Sequence, residues 1–245
     1  LQVFNNNADK IKNGGRVIFG IQESTLAART VLLDKIDSLA ANTWTPLCET
    51  LYEASRYFSG KSVYYGNDAD VNPKRDKSIE SAGPKYISPF NSCADKVYVI
   101  MITDGEPTWD IDADDEILGM PESGQDPMGA IYKVSEPKGQ DRGNSYLPAL
   151  AGWINTNDLN LSLDGKQTAE TYTIGFGKDA QNDAEALLME TALRGGGMYF
   201  YAQDTASLTA ALTSVLANLE PSNDTLTSAS VAANNFDRTQ TLDSV

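Results

Sequence analysis

Three short stretches hold the residues able to do chemistry, and the chemistry is that of oxygen ligands. In Val99–Asp110, VIMITDGEPTWD, an apolar run ends at Thr103 and Asp104-Gly105 follows. In an open α/β sheet, ligands bind beyond the carboxyl ends of the strands, where a carboxylate such as Asp104 is available to a metal. Thr45-Pro46-Leu47 places a hydroxyl at the start of a helical pattern. That hydroxyl either caps its own helix or coordinates a hard cation. Asp110, Asp112 and Asp114 stand at positions one, three and five of a calcium-loop pattern. The rest of that pattern fails, because Asp115 replaces its glycine and Pro121 its bidentate glutamate. The plain alternatives are a turn aspartate at Asp104 and a solvated acidic loop at 110–114.

The composition removes most other chemistries. The 245 residues include 34 acidic and 19 basic side chains, a net charge of −15, and no histidine. A Ser-His-Asp triad, a Cys-His pair and a histidine zinc site are therefore excluded. Such an acidic chain is unsuited to nucleic acid or to anionic membrane surfaces. It suits hard cations such as magnesium or calcium. Ser59-Gly-Lys-Ser62 lacks the first glycine of a phosphate-binding loop. No segment approaches the roughly 20 apolar residues of a membrane helix. The two cysteines, Cys48 and Cys93, flank opposite ends of an expected strand. A disulfide between them requires the intervening segment to fold back over the sheet, since bridged Cα atoms lie within about 7 Å.

The elements that must position these residues alternate. Strands are expected at Arg16–Gln22, Val97–Thr103, Thr171–Phe176 and Met198–Tyr201. Helices are expected at Leu26–Ala40, Pro46–Phe58, Ala180–Leu193 and Thr205–Leu219. Thr45 is the expected N-cap of the second helix, with Pro46 at its first position. The continuous run VYVIMIT predicts a strand buried on both faces. The Gly195–Gly197 triplet reads as a turn out of the third helix. The alternation implies an α/β fold, a three-layer Rossmann-like arrangement of a mostly parallel sheet with helices on both faces. Two long insertions, about 59–96 and 110–144, interrupt it. Residues 1–220 form the domain, and 221–245 an extended tail leading toward something further.

A hydrophobic strand ending in Thr-Asp-Gly, with an upstream Thr-Pro-Leu opening a helix, resembles the von Willebrand factor A domain. That resemblance implies a metal-ion-dependent adhesion site, with Thr45 and Asp104 as two of its ligands and a divalent cation, magnesium or calcium, as cofactor. The family's DxSxS motif occurs nowhere in the chain. This departure implies an A domain lacking its first strand.

TPLCETLYEASRYFSG, YISPFNSCADKVYVIMITDGEPTWD, GGGMYFYAQDTASLTAALTSVLANL and FDRTQTLDSV together resemble the PilC/PilY family of type IV pilus tip proteins. The resemblance implies a non-enzymatic module that supports pilus biogenesis, surface attachment and surface sensing. Its partners would be minor pilins or other pilus proteins, with a host or abiotic surface beyond them, and no direct membrane insertion. Its place would be the bacterial cell surface at the pilus tip, or the periplasm in transit. Two other readings stand beside it. One is a metal-independent scaffold that binds minor pilins through its insertions or tail. The other is a hydrolase using Glu106 and Asp110, for which no activity is expected.

Overall fold

The structure is a computed structural model, and it describes residues 1–5, 14–41, 43–67, 72–91, 95–108, 110–120, 132–133 and 144–219. The tail at 221–245, most of the second insertion, and Cys93 lie outside the described residues.

The core is a three-stranded parallel sheet in the order β5-β8-β9. Its strands are Lys96–Thr103 (β5), Thr168–Phe176 (β8) and Gly196–Ala202 (β9). Before them come an antiparallel pair, β1 (Gln2–Phe4) with β2 (Gly15–Val17), and a second pair, β3 (Glu80–Ser81) with β4 (Lys85–Tyr86). A short pair, β6 (Tyr132–Lys133) with β7 (Asn144–Ser145), precedes β8. The helices are α1 (Leu26–Asp37), α2 (Leu47–Phe58), α3 (Asp114–Leu118), α4 (Leu147–Thr156), a single turn α5 (Gly177–Asp179), α6 (Glu185–Arg194) and α7 (Thr205–Asn218). The chain is therefore α/β, with a parallel sheet covered by helices on both faces.

The two faces differ in how well they are covered. Leu47, Leu51, Leu147, Leu150, Ile154 and Leu188 are fully buried between α2, α4, α6 and one side of the sheet. The other side is covered by α7, which seats Ala211, Leu208 and Leu212 against Ile174, Ala202 and Ile100. Asp204 caps α7 in a capping box with Ser207, which fixes where the chain leaves β9.

Strand β5 departs from the sequence expectation of burial on both faces. Among the described residues its only ladder is with β8, so it is an edge strand. Val97, Val99 and Met101 pack on the core side. Tyr98 and Ile102, on the α7 side, are 40% and 43% exposed. The cause is missing cover: α7 reaches Ile100 but not its neighbours on either side.

Other differences have local causes. The expected strand Arg16–Gln22 stops at Val17, because the Leu1 carbonyl accepts from both Ile18 and Phe19. Gly20 then bonds the Asp76 carboxylate, and Ile21 the Tyr57 hydroxyl. Helix α4 has no counterpart in the sequence reading. Eight of its ten residues are buried, so LPALAGWINT shows no polar face and no helical period. The helix expected at Ala180–Leu193 is broken, a π-helical turn at Ala180–Ala184 preceding α6. The glycine triplet begins β9 as well as ending α6. Gly196 has φ of +77°, and a Cβ on Gly197 would stand 2.3 Å from the Thr171 carbonyl oxygen. Only glycine lets β9 approach β8 so closely there.

Helix α1 has the right apolar period and buries none of its residues. Leu150→Ala, in the packed layer, is therefore expected to cost about 2–5 kcal/mol. Leu33→Ala on α1 is expected to change stability by about 0.5 kcal/mol or less. Urea unfolding of the two variants checks this contrast.

Candidate functional site

The sequence-predicted residues gather at the carboxyl end of β5. Thr103 ends the strand and its hydroxyl donates to the Gly105 carbonyl at 3.0 Å, closing a tight turn. Asp104 sits in that turn and is exposed. Gly105 has open space where a Cβ would stand. Three residues further on, the Thr108 hydroxyl accepts from the Thr45 amide at 2.8 Å, and the Thr108 amide donates to the Thr45 carbonyl at 3.0 Å. This reciprocal pair locks the Thr-Pro-Leu segment against the Thr-Asp-Gly-Glu-Pro-Thr turn. Thr45 and Asp104 thus belong to two segments that the fold ties together.

Thr45 is not the cap of α2. The first helical residue is Leu47, and Pro46 in the capping position has no side-chain donor or acceptor to offer. The cap comes from Asp110, 62 residues away. Its Oδ1 accepts from the Cys48 amide at 2.6 Å, and its carboxylate also accepts from the Glu49 amide. These are the second and third amides of the helix, the ones an N-cap side chain satisfies. The expected solvated reading of 110–114 therefore does not describe Asp110, which is buried.

Asp110 meets a second acid there. Glu49, in the first turn of α2, is fully buried. Its Oε2 accepts from the Gly14 amide and its Oε1 from the Asp112 amide, both at 2.9 Å. Burial pushes the Glu49 carboxyl up to about 8, helped by the nearby Asp112 and Asp114, while the two amide bonds pull it back. Asp110 is pushed well above the carboxylate range by burial and by the neighbouring Glu49. Asp114, at the start of α3, is raised to about 6 by partial burial and by Asp115 and Asp112. Cys48 beside them is a free, fully buried thiol whose pKa burial raises strongly. Cys93, the other cysteine, lies outside the described residues.

Two carboxylate oxygens in this cluster, Asp110 Oδ2 and Asp114 Oδ1, are buried with no hydrogen-bond partner. Among the described residues no three acidic or thiol groups converge as a metal cage. Thr45 and Asp104 supply two oxygens, and a magnesium ion needs six. The residues described therefore do not make a cation site by themselves. At Glu49 and Asp110 burial instead favours the protonated carboxyl, which escapes the cost of a buried charge.

Sequence reasoning missed Glu49 and Thr108. Glu49 reads as an ordinary first-turn acid. One signal was available, since four residues on from Glu49 and Glu53 stand Glu53 and Tyr57, not the basic partners of a solvated helix face. Thr108 carries no signal, because its role depends on a chain segment 63 residues away.

No family model, no curated protein and no solved structure matches the chain.

The acid cluster generates a pH prediction. Folded Glu49 keeps its proton up to about pH 8, whereas an unperturbed glutamate loses it near 4.5. Between those values the unfolded chain binds fewer protons, so each rise in pH favours unfolding. Stability is expected to be highest near the lower end of this window and to fall as pH rises through it. Glu49→Gln and Asp110→Asn, which remove the titration and each keep one oxygen acceptor, are expected to flatten that slope, with Glu49→Gln also losing one of its two amide bonds. Urea midpoints between pH 5 and 8.5 measure it.

Proposed function

We propose that this chain is a von Willebrand A-type module of a type IV pilus tip-associated protein of the PilC/PilY kind. In this reading it is non-enzymatic and serves pilus biogenesis, surface attachment and surface sensing. The four quoted segments support the assignment at sequence level. The observation that carries it in space is the reciprocal Thr45–Thr108 bond, which joins the Thr-Pro-Leu helix start to the Thr-Asp-Gly turn at the carboxyl end of a parallel strand. That rim is where an open α/β sheet presents its ligand-binding surface.

The working surface would be this rim, with exposed Asp104 and half-buried Thr45 facing a minor pilin or another pilus protein. With the remaining oxygens supplied from beyond the described residues, the Thr45 hydroxyl and Asp104 carboxylate would be ligands of a magnesium or calcium ion. The alternative is a metal-independent scaffold that grips minor pilins through its insertions or tail. The compartment proposed is the bacterial surface at the pilus tip, or the periplasm in transit. No helix of the described residues is long and apolar enough to cross a membrane. Glu106 and Asp110 are both buried, which is poor placement for a hydrolytic pair that must reach substrate.

The test is binding of purified minor pilins to the immobilised protein, with and without a chelator. Saturable binding weakened at least tenfold by Asp104→Ala supports the rim as the contact surface. Loss in chelator as well supports a cation there. Binding that ignores both chelator and Asp104→Ala supports the scaffold reading, and no binding to any pilus protein sinks both.

A further inference from the structure

The loop between α4 and β8 lies at the amino end of the parallel strands, because Thr168 stands opposite Lys96 at the start of both. The eight residues of β5 separate that end from Asp104, a distance of about 26 Å. The loop holds Asn160-Leu161-Ser162, an Asn-x-Ser acceptor for an N-linked glycan. The sequence contains one other Asn-x-Ser/Thr, Asn223-Asp224-Thr225. The two differ two residues upstream, where Asp158 precedes Asn160 and Pro221 precedes Asn223. An acidic side chain at that place completes the longer acceptor that bacterial oligosaccharide transferases select.

The fold presents this segment to solvent. Asp158 Oδ1 accepts from the Asn160 and Gln167 amides, at 3.1 and 3.2 Å, and closes the neck of the loop. Beyond the neck, Leu161 is 87% exposed, and Ser162, Asp164, Gly165 and Lys166 are exposed with it. The Leu163 amide donates to the Asn160 carbonyl at 3.0 Å, so Asn160 opens a tight turn at the tip.

Both ends of the Asn160 carboxamide bear on its chemistry. Its Oδ1 accepts from the Ser162 amide and from the Ser162 hydroxyl. Donors at the carboxamide oxygen draw charge from Nδ2 and make its protons more acidic. Nδ2 itself donates to the Ser88 hydroxyl at 3.3 Å, longer than a firm bond of this kind. Little therefore holds the nitrogen back from reaction.

There is also room for a product. Asn160 and Ser88 line an open groove of about 670 Å³ with Lys61, Ile87, Trp153 and Leu161. Ile87 is 53% exposed there. Ile87 and Leu161 offer apolar surface to the face of a sugar ring, and the Lys61 ammonium offers donors to its hydroxyls.

We propose that Asn160 is an N-glycosylation site. The donor is a polyprenyl diphosphate-linked oligosaccharide, brought by a separate transferase. Nδ2 forms a bond to the anomeric carbon of the first sugar. The bond from that carbon to the diphosphate oxygen breaks, and polyprenyl diphosphate leaves with the electron pair. The Nδ2 proton passes to a base of the transferase. The bulky, solubilising product stands at the end of the sheet away from Asp104 and leaves the rim clear. The inference requires export of the chain and nothing of its pilus role.

Intact-mass and glycopeptide mass spectrometry on the protein purified from its native cells tests it. The expected result is a chain heavier than its sequence by an oligosaccharide, with the added mass on the peptide that carries Asn160. Asn160→Gln and Ser162→Ala are expected to remove that mass, and Ser162→Thr, which keeps the hydroxyl, to retain it. That rescue separates loss of the acceptor from damage to the turn. An unmodified Asn160 peptide overturns the proposal. So does sugar confined to Asn223, or added mass that survives Asn160→Gln or Ser162→Ala. Binding of minor pilins is not read here, so failure of this inference and failure of the functional reading are separate results.

Discussion

Two glutamates one turn apart on α2 organise the half of the molecule that precedes the sheet. Glu49 and Glu53 are both fully buried. Glu49 gathers the Gly14 amide of the β1–β2 hairpin and the Asp112 amide of the acidic loop. Glu53 gathers the Tyr64 and Tyr65 amides and the Tyr86 hydroxyl, the last at 2.6 Å. A buried carboxyl without partners costs several kcal/mol. Each loop segment therefore has one place where its amides and those acids are satisfied together. Loops whose own sequences favour no regular structure are fixed by the helix they lie on.

This arrangement explains the charge distribution at the rim. Asp110 caps α2 from outside and arrives next to Glu49, with no described basic side chain bonded to either. Opposite demands meet at one point. The helix amides favour ionised carboxylates, and burial favours neutral ones. Burial dominates at both residues. The rim above, with Asp104 and Thr45, thus stands on two buried acids that burial pushes toward the protonated form.

What was legible in the sequence follows the same division. Elements whose periodicity is local, such as α2, β8 and α7, appear close to their expected positions. The parallel α/β class was readable from strand–helix alternation. The cap of α2 was not, because Thr45 satisfies every local rule for a cap while the bond is made by Asp110. Helix α4 was invisible because burial of eight of its ten residues erases the polar face that makes a helix readable. At the site, Asp104 and Thr45 were legible as residue types at the end of a strand and the start of a helix. Thr108 and Glu49, which hold the two segments and the loops in register, act across more than 30 residues of chain and leave no local mark.

The failure of one expectation is the most informative. VYVIMIT has the composition of a strand buried on both faces, whereas Tyr98 and Ile102 are exposed and, among the described residues, β5 is an edge strand paired with β8 alone. An exposed apolar edge is a liability that folded proteins blunt with charge, proline or a bulge. Lys96 at the start of β5 is the strand's only charge, and it is bonded to Glu170 of β8. Val97–Thr103 itself carries no charge, proline or glycine that would guard the open side. Helix α1 has the same character, with an apolar period and no buried residue. Both are apolar surfaces that the described residues leave open, and each is consistent locally while unsatisfied in the fold.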